Sequence, residues 1–176
     1  MASVDISPLP HTVEIPCFSQ PATTNSKPAD AIQIAQDWID KLSRLSEPDA
    51  DVALILSPLF HIECWWRDLL ALSWDFRSIH GADNVIKYVK EHITNSKLCK
   101  FKLRNMGAFA PSVLQLSESL EWVQSMYDFE TEISSGSGML RLMKGTDGVW
   151  KAFTFSTMLQ QLKDYPERIG LLRPRG

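Results

Sequence analysis

Arg67 and Asp68 follow directly on Trp65 and Trp66, which sets a cation and a carboxylate beside two large rings. At the wall of an aromatic pocket, an arginine polarises a carbonyl and a carboxylate moves a proton. The same two residues also read as an ion pair that pins a strand to the next element, with Asp68 capping it. His61, His80 and Asp128 complete the titratable set; His61 alternates with apolar neighbours, and His80 precedes Gly81, where a ring nitrogen also suits a backbone bond at a strand end. His92 falls on a lysine-rich helical face and reads as solvent-exposed. The catalytic candidates are Asp68, Arg67, His61 and Asp128. Trp65, Trp66, Trp74, Arg77, His80, Trp122, Met126, Glu130 and Phe153 are the candidates to hold a ligand through aromatic or mixed polar contact. No His, Asp or Glu grouping has metal-ligand spacing and no Ser-His-acid pattern is visible, so neither a metal nor a covalent nucleophile is expected.

Periodicity predicts the elements that must place these groups. Residues 1–27 carry Pro8, Pro10, Pro16 and Pro21 with no helical or alternating period, which predicts an extended arm before a single domain over 28–176. A helix starting at 26–28 puts Ala31, Ala35, Trp38, Leu42 and Leu45 on one stripe, and a shorter helix after Pro48 buries Val52, Ile55 and Leu56 before Pro58 ends it. Residues 59–66 alternate as a strand, 69–73 read as a short helical stretch, and 75–80 as a second strand stopped by Gly81. Val85, Ile86, Val89 and Ile93 mark a third helix.

Beyond residue 98 the pattern is strand. Segments 98–105, 120–133, 138–144 and 149–159 read as consecutive antiparallel strands, with 113–116 a short extra piece and turns at 134–137 and 145–148. Helices followed by a long meander predict an α+β fold, a cone-shaped curved antiparallel sheet with about three helices on one face. Trp122, Gln124, Met126, Asp128 and Glu130 share one face of the 120–133 strand and mix polar with apolar groups, as the lining of a cavity does. A twisted strand emerging into water would look the same at Asp128 and Glu130.

A chain of 176 residues, 44% hydrophobic, suits one domain with its own core. Its net charge of -3 and pI near 5.8 come from charges spread without long runs, so a nucleic-acid partner is not expected. No stretch approaches the ~20 apolar residues of a membrane span and the N-terminus lacks a basic start before an apolar core, which predicts a cytoplasmic protein without a membrane partner. Cys17, Cys64 and Cys99 share no short spacing and read as reduced thiols, Cys64 inside an apolar run.

The run Trp65-Trp66-Arg67-Asp68-Leu69-Leu70-Ala71-Leu72-Ser73-Trp74-Asp75-Phe76-Arg77, followed by Ile79-His80-Gly81, resembles the N-terminal domain of fungal flavin-containing monooxygenase-like proteins. The resemblance resumes at Tyr127-Asp128-Phe129-Glu130-Thr131, at Gly136-Ser137-Gly138 with Leu140 to Leu142, and at Trp150-Lys151-Ala152-Phe153-Thr154 ending in Gln161-Leu162-Lys163. It implies the nuclear-transport-factor-2-like (SnoaL-like) fold. In that family a dinucleotide-binding monooxygenase normally follows; here the chain ends at Gly176, and Gly136, Gly138, Gly145 and Gly148 read as hairpin glycines rather than a phosphate cradle. No flavin, nicotinamide or other cofactor is therefore expected, whether the chain is a stand-alone relative or a cut-out domain.

Relatives of this fold include ketosteroid isomerase, scytalone dehydratase and polyketide or terpenoid cyclases. The resemblance thus implies a cofactor-independent tailoring enzyme of fungal secondary metabolism, a cyclase, isomerase or dehydratase acting on an apolar terpenoid or polyketide. Pericyclic ring closure of the Diels-Alderase type belongs to this class, since it needs a folded substrate and a hydrogen bond rather than an acid-base pair. The alternative is a non-catalytic interaction or dimerisation domain of a flavin monooxygenase, with a homodimer formed on the open face of the sheet.

Overall fold

The computed structural model describes residues 30–117 and 120–165, without the side chains of 116–119. The arm over 1–27, the helix start at 26–28 and Cys17 lie outside the described residues. Helix α1 spans Ala31–Ser43 and is capped at Asp30, whose carboxylate accepts the Gln33 N–H at 3.1 Å. Its stripe of Ala35, Trp38, Ile39 and Leu42 is buried. After a 3₁₀ turn over Arg44–Ser46, the short α2 (Val52–Leu56) is capped by Asp51 in the same way. Helix α3, Ala82–Ser96, follows Gly81 at φ 86° and ends where Lys97 adopts a left-handed φ of 49°, which returns its N–H to the Ile93 carbonyl.

Seven strands form one mixed sheet: β1 Phe60–Leu69, β2 Phe76–His80, β3 Cys99–Leu103, β4 Ser112–Ser117, β5 Leu120–Glu130, β6 Ser134–Lys144 and β7 Trp150–Leu162. Their order is β2-β1-β7-β6-β5-β3, with β4 also paired to β5. The antiparallel meander holds for β5, β6 and β7; β1, however, runs parallel to β7, and β3 pairs with β5 rather than with its successor. A register shift in β1 between Phe60 and Trp65 leaves Ile62 exposed, although simple alternation placed it with Phe60 and Cys64 on the apolar face.

Two local expectations are corrected. Residues 69–73 form no helix: β1 runs to Leu69 and the chain bends through 70–75, because the Asp68 carboxylate takes the Leu72 and Ser73 N–H groups that a helix would have paired internally. Residues 134–137 are not a turn but the start of β6; the reversal lies at 131–133, closed by the Thr131 N–H to the Ser134 carbonyl at 2.9 Å. The glycines of this strand serve close approach. Gly136 pairs with Phe129 and Gly138 with Tyr127, and a Cβ at Gly138 would stand 2.4 Å from the Tyr127 ring and 2.0 Å from the Ser156 carbonyl oxygen.

The helices cover one face of the sheet, and aromatic rings fill the space between them. Phe155 packs edge-on to Trp66 with centroids 4.5 Å apart and stacks on Tyr127 at 5.1 Å, while Trp38 meets Phe60 at 5.6 Å. The polar tips of these inner rings are satisfied: Trp38 Nε1 donates to the Leu59 carbonyl, Trp66 Nε1 to Thr157 Oγ1, and the Tyr127 hydroxyl to the Ser156 carbonyl. Burying each such ring contributes roughly 1.5–3 kcal/mol.

Candidate functional site

Strand alternation separates the two charged residues that the sequence sets side by side. Trp66 and Asp68 point inward and are 1% and 0% exposed, whereas Trp65 and Arg67 point to the opposite face. No Arg67–Asp68 ion pair forms, and the two cannot act on one substrate atom. The helix over 69–73 that Asp68 was expected to cap does not form, and Asp68 organises the 70–75 bend in its place. Its carboxylate accepts five donors: the Leu72 and Ser73 N–H groups at 3.1 and 3.2 Å, the Ser73 hydroxyl at 3.4 Å, the Tyr88 hydroxyl at 2.9 Å and the Thr157 hydroxyl at 2.6 Å. Leu70, entering the bend, holds a left-handed φ of 63°, a conformation that persists where surrounding bonds over-determine it.

This bend, the last turns of α3 and the 131–134 reversal border a cavity of about 300 Å³, the bend cavity. Leu70, Leu72, Trp74, Ile133 and Leu159 give it an apolar wall, and Ser73, His92, Asn95 and Thr131 bring polar groups to it. A larger open groove of about 610 Å³, between β2 and α3, reaches Ser73, Tyr88 and His92 from the other side and is rimmed by Arg77, His80 and Lys87. Ser73 and His92 border both spaces.

His92 is half-buried rather than exposed. Its ring stacks on Tyr88 with centroids 4.3 Å apart, and Nδ1 lies 2.8 Å from the Tyr88 carbonyl. A carbonyl only accepts, so Nδ1 carries the proton and Nε2 of the neutral ring is an acceptor. No described residue bonds Nε2. Burial pushes the pKa of the Tyr88 hydroxyl far above its ordinary value, so it stays a hydrogen-bond donor at every working pH. The stripe Val85, Tyr88, Val89 and His92 has i, i+3, i+4, i+7 spacing, so the sequence did carry a signal for both residues.

The other candidates are dispersed. Trp74 lies at the cavity mouth, 68% exposed, and Arg77 and His80 border the groove, so the site draws together these three with Asp68. His61 sits near the other end of β1, with Nε2 3.0 Å from the Met143 carbonyl. Val123, Ser125, Tyr127 and Phe129 are the buried face of β5, so Trp122, Met126, Asp128 and Glu130 line the outer face and not the interior of the cone. There Asp128 takes a bidentate bond from Arg104, and Glu130 is held by Lys100 and Lys163 at 3.1 and 2.8 Å, which keeps its carboxyl below the ordinary carboxylate range. Phe153 occupies the extra position where β7 slips against β6. Burial lifts the Cys64 thiol to about 12, which removes it as a nucleophile. Among the described residues no cluster of three metal-ligating side chains forms, and no helix is long and apolar enough to cross a membrane.

No protein-family model matches the chain, and no curated protein matches it in sequence. Solved structures do. Nuclear transport factor 2 from Cryptosporidium parvum superposes with a TM-score of 0.52 at 13% identity, covering 78% of this chain and 100% of its own. ActVI-ORFA from Streptomyces coelicolor gives 0.50 at 12% identity over 73% of this chain and 96% of its own. A Nostoc punctiforme protein of unknown function with a cystatin-like fold gives 0.50 at 8% identity over 73% and 90%. Three helices on one face of a curved seven-stranded sheet, together with these superpositions, identify the architecture: the chain has the nuclear-transport-factor-2-like fold.

Proposed function

We propose that the protein is a cofactor-independent enzyme that moves protons on a small apolar molecule, an isomerase, cyclase or dehydratase whose substrate enters the bend cavity. The observation that carries this reading is His92: its Nδ1 is committed to the Tyr88 carbonyl, and its ring borders the cavity beside the Ser73 hydroxyl. Nε2 is the general base. The Ser73 hydroxyl borders the same cavity, and turning its single proton from the long 3.4 Å bond to Asp68 onto a substrate oxygen makes it the donor as charge develops there. Tyr88 and Asp68 position this donor, and Asp68 holds the 70–75 bend that forms the wall. Trp74 and Ile133 supply the apolar contact that a polyketide or terpenoid skeleton requires.

A second reading, a non-catalytic interaction domain, draws on a different observation: the rings of Trp38, Phe60, Trp66, Tyr127 and Phe155 fill the interior where a deep substrate pocket would lie. Incubation with an extract of fungal secondary metabolites, followed by chromatography with mass detection, separates the two. A product of unchanged mass, or one lighter by a water, that is absent with H92A supports the enzyme. Conversion that survives in H92A removes His92 as base, and no conversion by the native protein favours the interaction domain.

A further inference from the structure

Arg67 and Arg141 lie on the sheet face away from the helices, with no carboxylate partner among the described residues. Every other arginine with a described ion pair meets its acid on the surface: Arg44 with Glu47, Arg77 with Asp75 and Arg104 with Asp128. The pairing places Arg67 beside Ser156, and Arg141 beside Thr154, which itself neighbours Trp65. The two arginines thus flank β7 from β1 and β6, two strand spacings across and two residues along, roughly 12 Å apart, a gap their side chains can close onto one anion. Between them is a cavity of about 350 Å³, with Trp65 and Met139 as apolar walls and the Ser78, Thr154 and Ser156 hydroxyls on its floor. Arg141 Nε is buried and donates to nothing, and the nearby Trp122 Nε1 is in the same state; the guanidinium lies 5.1 Å from the Trp122 ring.

A buried donor left unpaired is costly, and an unpaired guanidinium beside an aromatic wall suits an acceptor that is itself attached to an apolar body. We infer that this outer-face cavity is a second binding site, for a small aromatic or polycyclic anion whose carboxylate or sulfonate is clamped by Arg67 and Arg141 while its rings lie on Trp65 and Met139. The site is separate from the bend cavity, on the opposite face of the sheet.

Anilinonaphthalene sulfonate and its uncharged parent, phenylnaphthylamine, are the probes, titrated by fluorescence into the full chain. The sulfonate binds in one-to-one stoichiometry, and R67Q and R141Q each weaken it about tenfold, the loss of one charge-assisted bond. Phenylnaphthylamine binding is unchanged by either substitution. Equal losses for the two probes would reduce the site to apolar surface and overturn the inference, as would indifference of the sulfonate to both substitutions. Sulfonate binding that disappears as the protein dimerises with concentration would assign the face to a second copy instead. Should R141Q fail to fold, R67Q, an exposed substitution, carries the test alone.

Discussion

The Tyr88 hydroxyl donates to Asp68 Oδ2 at 2.9 Å, joining α3 to the end of β1, and the same carboxylate reaches Thr157 on β7 at 2.6 Å. One buried carboxylate therefore ties a helix, two strands and the 70–75 bend together. Replacing it by Asn turns one of its two acceptor oxygens into an N–H₂ donor that faces groups already donating to that position. D68N should lose about 2–3 kcal/mol and melt roughly 5–10 °C lower, with Y88F losing about 1 kcal/mol. A D68N melting temperature within about 1 °C of the native one would show that the network does not hold the bend.

The catalytic reading separates from the structural one at His92. H92A removes a base and one stacked ring without disturbing the Asp68 network, so turnover should fall about 100-fold or more while the melting temperature moves by a few degrees at most. A kinetic assay on the product found in the extract experiment checks this. Equal rates for H92A and the native protein would end the assignment.

His61 supplies a pH signature. Burial lowers its pKa from the ordinary value of 6.5, opposed by its bond to the Met143 carbonyl, so the folded state prefers the neutral ring. The unfolded chain takes up the proton first as pH falls. The His61 contribution is therefore complete above about pH 6.5 and declines below it, until the folded ring titrates as well. Comparing melts of the native protein and H61Q between about pH 7.5 and 5.5 isolates it; the native protein should lose more stability on acidification, and parallel curves would contradict the shift.

Gly138 and Gly107 should respond very differently to alanine. A Cβ at Gly138 meets the Ser156 backbone oxygen and the Tyr127 ring, so G138A should cost about 3 kcal/mol or more, or fail to fold. Gly107 has open space around it and only its φ of 80° resists a side chain, so G107A should cost about 1 kcal/mol. Urea titrations give both values, and a mild G138A would show that β5 and β7 yield more than their packing suggests.

Local pattern was enough for the elements that bury one face: the Trp38 and Val85 stripes, the alternation of β1 and β5, and from their order the α+β cone. The sequence marked Asp68 as the cap of a helix over 69–73; the carboxylate does take N–H groups there, but those of a bend that it ties to Tyr88 and Thr157. What it determined less well were features that depend on partners far along the chain. Gly136 and Gly138 resembled turn glycines because their need arises from Phe129 and Tyr127 on the neighbouring strand. The cavity was placed on the wrong face of β5, because mixed polarity marks a strand face as unusual without saying which side the helices cover. Arg67 and Asp68, adjacent in sequence, lie on opposite faces of the sheet through the period of a strand. Tyr88 and His92 became a candidate site only in the tertiary structure, where the bend after Asp68 folds against α3. Hydrophobic period is a property of a few neighbouring residues, whereas a site is a meeting of groups 20 to 89 positions apart, and only packing decides which of them meet.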